Sequence, residues 1–147
     1  MIDVKDDAFL EQNIKGMMMT LIARWNAQMD EARAETEFAG IRPADMRVFG
    51  QLRGRTVHLS AIHREMGFSR QAAQQAVERL VDHDMLKTSP DPNSRRDKLV
   101  SITDKGQRWR SFAARQIRSI EEEIAQTVGQ DGKEALRKGL VSLIKAQ

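Results

Sequence analysis

Apolar residues recur along the first part of the chain at Leu10, Ile14, Met17 or Met18, Leu21, Trp25, Met29 and Ala32. Steps of three and four place them on one stripe of a long amphipathic helix. The unit closes at Gly40-Ile41-Arg42-Pro43. Pro43, suited to a first helical position, opens a short second helix running to about Leu52. Ser60 is placed to cap a third helix from Ala61 to Met66, with Ile62 and Met66 turned inward. Gly67 supplies a tight turn, and Ser69 caps a fourth helix from Arg70 to about His83.

Two short extended stretches follow, Leu86–Thr88 and Leu99–Ile102, on either side of a charged, turn-rich tip from Pro90 to Asp97. Thr103 caps the next helix, whose inner stripe is Trp109, Phe112 or Ala113, Ile117, Ile120, Ile124 and Val128, and Gly129 ends it. Asp131 with Glu134 resembles a capping box for a last helix bearing Leu136, Leu140, Leu143 and Ile144. The pattern predicts a mostly α fold with a small β-hairpin. A helix-turn-helix and hairpin occupy 42–103, and helices at 1–36 and 104–147 flank them. The apolar stripes of the first and last helices, with Leu10, Ile14, Leu136, Leu140, Leu143 and Ile144, need more partner surface than so small a body supplies. A homodimer is therefore expected.

The 147 residues, 40% hydrophobic and 31% charged, suit one globular unit. No apolar run reaches the roughly 18–20 residues that cross a bilayer. The acidic start, Asp3 to Asp7, is unlike a signal peptide, so a cytoplasmic protein with no membrane partner is expected. The absence of cysteine excludes disulfides, thiolate zinc sites and thiol redox sensing.

Charge changes the picture once it is divided along the chain. Residues 1–52 carry 6 Lys/Arg against 9 Asp/Glu, and residues 119–147 carry 4 against 5. Residues 53–118 carry 14 against 7, a net +7 that coincides with the helix-turn-helix and hairpin. A basic module of this kind attracts a polyanion, with nucleic acid foremost.

A DNA-reading helix buries one side and offers the other to base edges. On the fourth helix Ala73, Ala76, Val77 and Leu80 share one face, while Gln71, Gln74 and Gln75 project from the other, with Arg70 near the start. Glutamine donates and accepts at once, matching adenine in a bidentate pair. Arg95, Arg96 and Lys98 at the hairpin can reach further round a duplex, and an arginine there suits a narrow minor groove.

His58, His63 and His83 lack metal-ligand spacing, so neither metal nor other cofactor is expected. Met17-Met18-Met19 with Trp25 and Met29 read as dimer or domain core before effector pocket, and Trp109 and Phe112 as core. No phosphate loop, nucleophile elbow or cysteine nucleophile is present, so an enzyme is not expected.

Leu59 to Gly106 resembles the DNA-binding domain of the multiple antibiotic resistance regulator (MarR) family. The resemblance is carried by Leu59-Ser60, Gly67, Ser69, the run Val77-Glu78-Arg79-Leu80, and the run from Asp91 to Gly106. That last run aligns without a gap on the family's Asp-Pro-x-Asp-Arg-Arg wing followed by Leu-Thr-x-x-Gly.

The resemblance implies a winged-helix homodimer whose fourth helix enters the major groove and whose wing enters the minor groove. It puts Ala72, Gln74 and Gln75 at reading positions and Arg96 at the inserted wing position. Ser60 and Ser69 fall near phosphate-contacting helix starts, and Arg79 joins the DNA-binding candidates.

Three departures stand out. Ser94 replaces an aspartate that helps hold the wing arginine, a task open to Asp97. Asp84 replaces a glycine after the recognition helix, where aspartate can adopt the left-handed region. Ala72 and Gln75 stand where Thr and Arg are common, which implies a different operator.

The leading expectation is a ligand-responsive repressor that binds double-stranded DNA as a homodimer on a palindromic operator. A small-molecule effector of undetermined identity would change the spacing of its recognition helices. The alternatives are a winged-helix protein-interaction module and a nonspecific architectural DNA binder.

Overall fold

The computed structural model describes residues 4–146. The elements run α1 (Val4–Gln12), α2 (Ile14–Arg33), α3 (Pro43–Gln51), β1 (Val57–His58), α4 (Leu59–Met66), α5 (Arg70–Asp82), β2 (Leu86–Asp91), β3 (Ser94–Ile102) and α6 (Asp104–Lys145). They form two compact units, one of residues 33–113 and one of residues 1–32 with 114–147.

The first of these units is a winged helix-turn-helix. Its three strands lie in the order β1-β3-β2, all antiparallel. Val57 pairs with Val100 and Leu86 with Ile102, and the ladder is irregular between Pro90 and Asp91, where proline offers no amide to the ladder. The core is built by Phe49, Leu52, Ile62, Leu80, Leu86 and Val100, each nearly inaccessible.

Phe38 and Trp109 meet edge to face at 5.2 Å and are core, while Phe112, tilted 5.4 Å from Trp109, is half-buried at its edge. Buried Arg33 donates from Nη1 to the carbonyls of Phe38 and Ile41, closing the loop before α3. Asp84 adopts a φ of 59°, as expected of the residue standing in for glycine.

Four local expectations are corrected. The first apolar stripe belongs to two helices, because Asn13 breaks it. Its amide donates to the carbonyls of Phe9 and Leu10 at 3.1 and 2.9 Å, and its Oδ1 accepts from the Gly16 amide at 2.8 Å. One side chain therefore closes α1 and caps α2, the competition with backbone that makes asparagine a helix terminator.

The hairpin strands are longer than expected, six and nine residues, and they gain β1 as a third partner. α4 starts at Leu59, so Ser60 lies inside its first turn and does not cap it. Glu134, expected to close a capping box with Asp131, instead faces Arg137 at 3.6 Å within α6, and Arg137 in turn donates to Glu121 at 2.7 Å.

The second unit consists of α1, α2 up to Ala32 and α6 beyond Ala113. Gly129, at φ 81° and ψ 165°, interrupts α6 with a backbone shape that only glycine adopts freely. A cavity of about 500 Å³ lies within this unit, lined by Trp25, Met29, Ile120, Ile124, Leu136 and Leu140 among others. Its outer faces stay apolar: Leu10, Ile14, Leu143 and Ile144 are each more than 60% exposed. Met17, Met18 and Met19 are also exposed, and so are not core within this one chain. Among the described residues, no helix is long and apolar enough to cross a membrane.

Candidate nucleic-acid interface

The fourth helical segment of the sequence becomes α5, and its start is fixed by its own cap. Ser69, in an extended conformation, accepts a hydrogen bond on Oγ from the Ala72 amide at 3.0 Å. Gly67 at φ 70° closes α4 and turns the chain into that cap. Ala73, Ala76, Val77 and Leu80 are buried, and Gln71, Ala72, Gln74 and Gln75 are exposed on the opposite side. The side chain of Gln74 donates to Glu78 at 3.3 Å, a weak exposed contact that a base edge could replace.

Arg79 is placed apart from this face. Its Nε and Nη2 donate to the two oxygens of Asp45 at 2.9 and 3.0 Å, and Asp45 is only 2% exposed. That bidentate bond raises the Arg79 pKa, its carboxylate partner favouring the charged guanidinium. The residue thus ties α5 to α3, and its side chain stays partly exposed. Asp45 was not singled out in the sequence, where nothing at a spacing of 34 residues marks such a pair.

The wing is the β2–β3 hairpin. Its tip is held by Asp91, which accepts from the Asn93 amide at 2.9 Å, and by Ser94, whose hydroxyl accepts from the amides of Arg96 and Asp97 at 3.3 and 3.2 Å. Arg95, Arg96 and Lys98 are exposed, and none has an ion-pair partner among the described residues.

Asp97 does not hold Arg96. Its carboxylate accepts from the Ser60 hydroxyl at 2.7 Å, the Ser60 amide at 3.3 Å and the Lys98 amide at 2.9 Å. Chiefly the Ser60 hydroxyl keeps the Asp97 carboxyl below the usual carboxylate range, against the opposing effect of partial burial. His58 Nδ1 lies 3.2 Å from Asp91 and 3.5 Å from Asp97. Among the described residues no set of three His, Asp or Glu side chains is arranged to hold a metal ion.

A concavity of about 440 Å³ brings together Ser60, His63, Arg70, Gln74, Arg96 and Asp97. It joins the start of α5 to the wing. His63, noted in the sequence only for lacking metal-ligand spacing, belongs to this lining, and only the folding of α4 against the wing reveals it. Ser69, Gln71, Ala72, Gln75, Arg95 and Lys98 lie outside it. In chemical terms the concavity offers two guanidinium groups and an amide, a set suited to phosphate and base edges.

A basic wing beside an amide-bearing recognition helix defines the chain as a winged helix-turn-helix protein. The MarR family model matches residues 39–97, which include α3 to α5 and most of the wing. Among solved structures, it is similar to Streptococcus pneumoniae FabT in complex with DNA, at 16% identity and a TM-score of 0.76, covering 91% of this chain and 94% of that one. It is also similar to wild-type MarR in its apo form from E. coli, at 16% identity, a TM-score of 0.72, and 90% and 96% coverage. A probable transcriptional regulator from Pseudomonas aeruginosa shares 21% identity, with a TM-score of 0.65 and 91% and 98% coverage. No curated relative matches the sequence.

Proposed function

We propose that the protein is a transcriptional regulator, and not an enzyme, that binds double-stranded DNA sequence-specifically. It acts in the cytoplasm as a homodimeric, ligand-responsive repressor on a palindromic operator. The observation that carries this reading is the shared concavity of Arg70, Gln74 and Arg96, beside an exposed row of Gln71, Ala72 and Gln75. The complex of FabT with DNA supports the same use of the fold. In this reading α5 enters the major groove, Gln74 and Gln75 read bases, and Ser69 and Arg70 contact the backbone. Arg96 enters the minor groove, with Arg95 and Lys98 on phosphates.

The exposed apolar faces of α1 and the end of α6 support a second copy as partner, with Leu10, Ile14, Leu136, Leu140, Leu143 and Ile144 at the seam. Two-fold symmetry then requires half-sites about one helical turn apart. A small-molecule effector would act by favouring a different spacing of the two recognition helices.

Titration of duplex DNA at several salt concentrations tests the reading. Binding should weaken steeply with salt, and Arg96→Ala should flatten the log K against log salt line by about one unit. It should cost most affinity when A·T-rich sequence flanks the half-site. Unchanged affinity and slope in Arg96→Ala would mean that the wing does not dock.

A further inference from the structure

We infer that Asp97 is a positioning residue for the wing arginine, fastening the root of β3 to the first turn of α4 and so fixing where Arg96 is presented. The inference rests on the DNA-binding reading above.

α4 begins after His58, which gives it no side-chain cap. The first amides of a helix need acceptors from elsewhere, and a negative group there is favoured by the helix dipole. The acceptor here comes from 37 residues downstream: Asp97 takes both the amide and the hydroxyl of Ser60, and the Lys98 amide as well. His58 sets its Nδ1 beside the same carboxylate and beside Asp91 of β2. β1, β3 and α4 therefore meet at the Asp97 carboxylate, and Asp91 of β2 reaches the same His58.

Two consequences follow for the residues around it. Ser94 commits its hydroxyl to the amides of Arg96 and Asp97, so it shapes the tip but carries no charge for a guanidinium. The orientation of Arg96 is set instead by its neighbour in the chain, and Arg96 borders the concavity that also holds Arg70 and Gln74. Ser60, in turn, has both its donors engaged by the protein's own carboxylate. It belongs with the wing's fastening and not with the phosphate contacts.

A rival role for the same carboxylate is that of a plug, keeping phosphate away from the start of α4. The two roles differ in sign. A fastening lost should weaken DNA binding, whereas a plug removed should strengthen it.

The test uses the full-length protein and a duplex recovered from a random-sequence library. Asp97→Ala and Ser60→Ala should each weaken binding about tenfold, in line with loss of a charge-assisted hydrogen bond. The double variant should be no worse than either alone, and Ser60→Thr should bind like the parent. In an Arg96→Ala background, Asp97→Ala should add nothing, an erasure that a general structural role would not produce.

Tighter binding by Asp97→Ala, or the same loss with Arg96 absent, would overturn the inference. Asp97→Asn, which keeps the side-chain shape, guards against misfolding. In it the Ser60 and Lys98 amides should exchange hydrogen faster, and unchanged protection would also overturn the inference. Should the parent protein bind no duplex, the DNA reading fails, while amide exchange still decides whether Asp97 fastens the wing.

Discussion

Ser69 separates two roles that a helix start can serve, and substitutions there test both. Its hydroxyl caps α5 through the Ala72 amide at 3.0 Å, and no acidic residue in the first turn of that helix shares the task. Ser69→Ala removes the cap at a cost of about 1 kcal/mol. The winged-helix unit spans residues 33–113, and for a domain of that size the loss corresponds to about 4–8 °C in melting temperature. Melting of the whole chain as one unit would reduce the shift to about 2–4 °C.

Ser69→Asp distinguishes the roles. Aspartate caps as well as serine and adds a favourable charge at the helix N-terminus, about 0.3–1 kcal/mol. Its melting temperature should equal or exceed that of the parent. The same carboxylate would face DNA phosphate at the start of the recognition helix, so duplex affinity should fall in both variants and further in Ser69→Asp. Circular dichroism melts paired with fluorescence-anisotropy titrations of a labelled duplex supply both readouts. A melting temperature for Ser69→Asp as low as that of Ser69→Ala would refute the capping argument. Parent-like duplex affinity in Ser69→Asp would refute the placement of α5 against the backbone.

The remaining expectations concern the scaffold. Arg79→Ala leaves buried Asp45 without its bidentate partner and should lower the melting temperature clearly, whereas Arg70→Ala should weaken DNA binding at unchanged stability; parallel losses in both assays would show the pair misassigned. Replacing Leu140 and Ile144 together by Asp should yield monomer or aggregate by sedimentation and abolish operator binding, and a parent protein that is monomeric at micromolar concentration would contradict the dimer. The Asp97 carboxyl is held below its usual range in the folded chain, so its contribution to stability is complete above the ordinary carboxylate range and disappears as pH falls through the lowered value. Asp97→Asn should therefore flatten the acid limb of the stability profile, and identical acid limbs would contradict that assignment.

Much of the framework was legible because its signals are local. Pro43 opens α3, Ser69 caps α5, and the Thr103 hydroxyl accepts from the Gly106 amide at 3.0 Å at the start of α6. Each is a residue acting within four positions of itself. What escaped the sequence depends on partners far along the chain or on competition that periodicity does not register. Asn13 interrupts a continuous apolar stripe through hydrogen bonds, to which hydrophobic spacing is blind.

The cap of α4 comes from Asp97 and the partner of Arg79 from Asp45, so Ser60 and Arg79 read as surface contacts until the fold brought those carboxylates to them. β1 is two residues long and exists only because β3 passes beside it. The exposed row of Gln71, Gln74 and Gln75 was readable because burial on one face of a helix and exposure on the other follow from spacing alone.

Selection of bound sequences from a random duplex library tests the central claim most directly. The account predicts enrichment of an inverted repeat whose half-sites lie about one helical turn apart, bound by a protein dimer. Recovery of sequences no different from the starting library would contradict sequence-specific recognition by this chain.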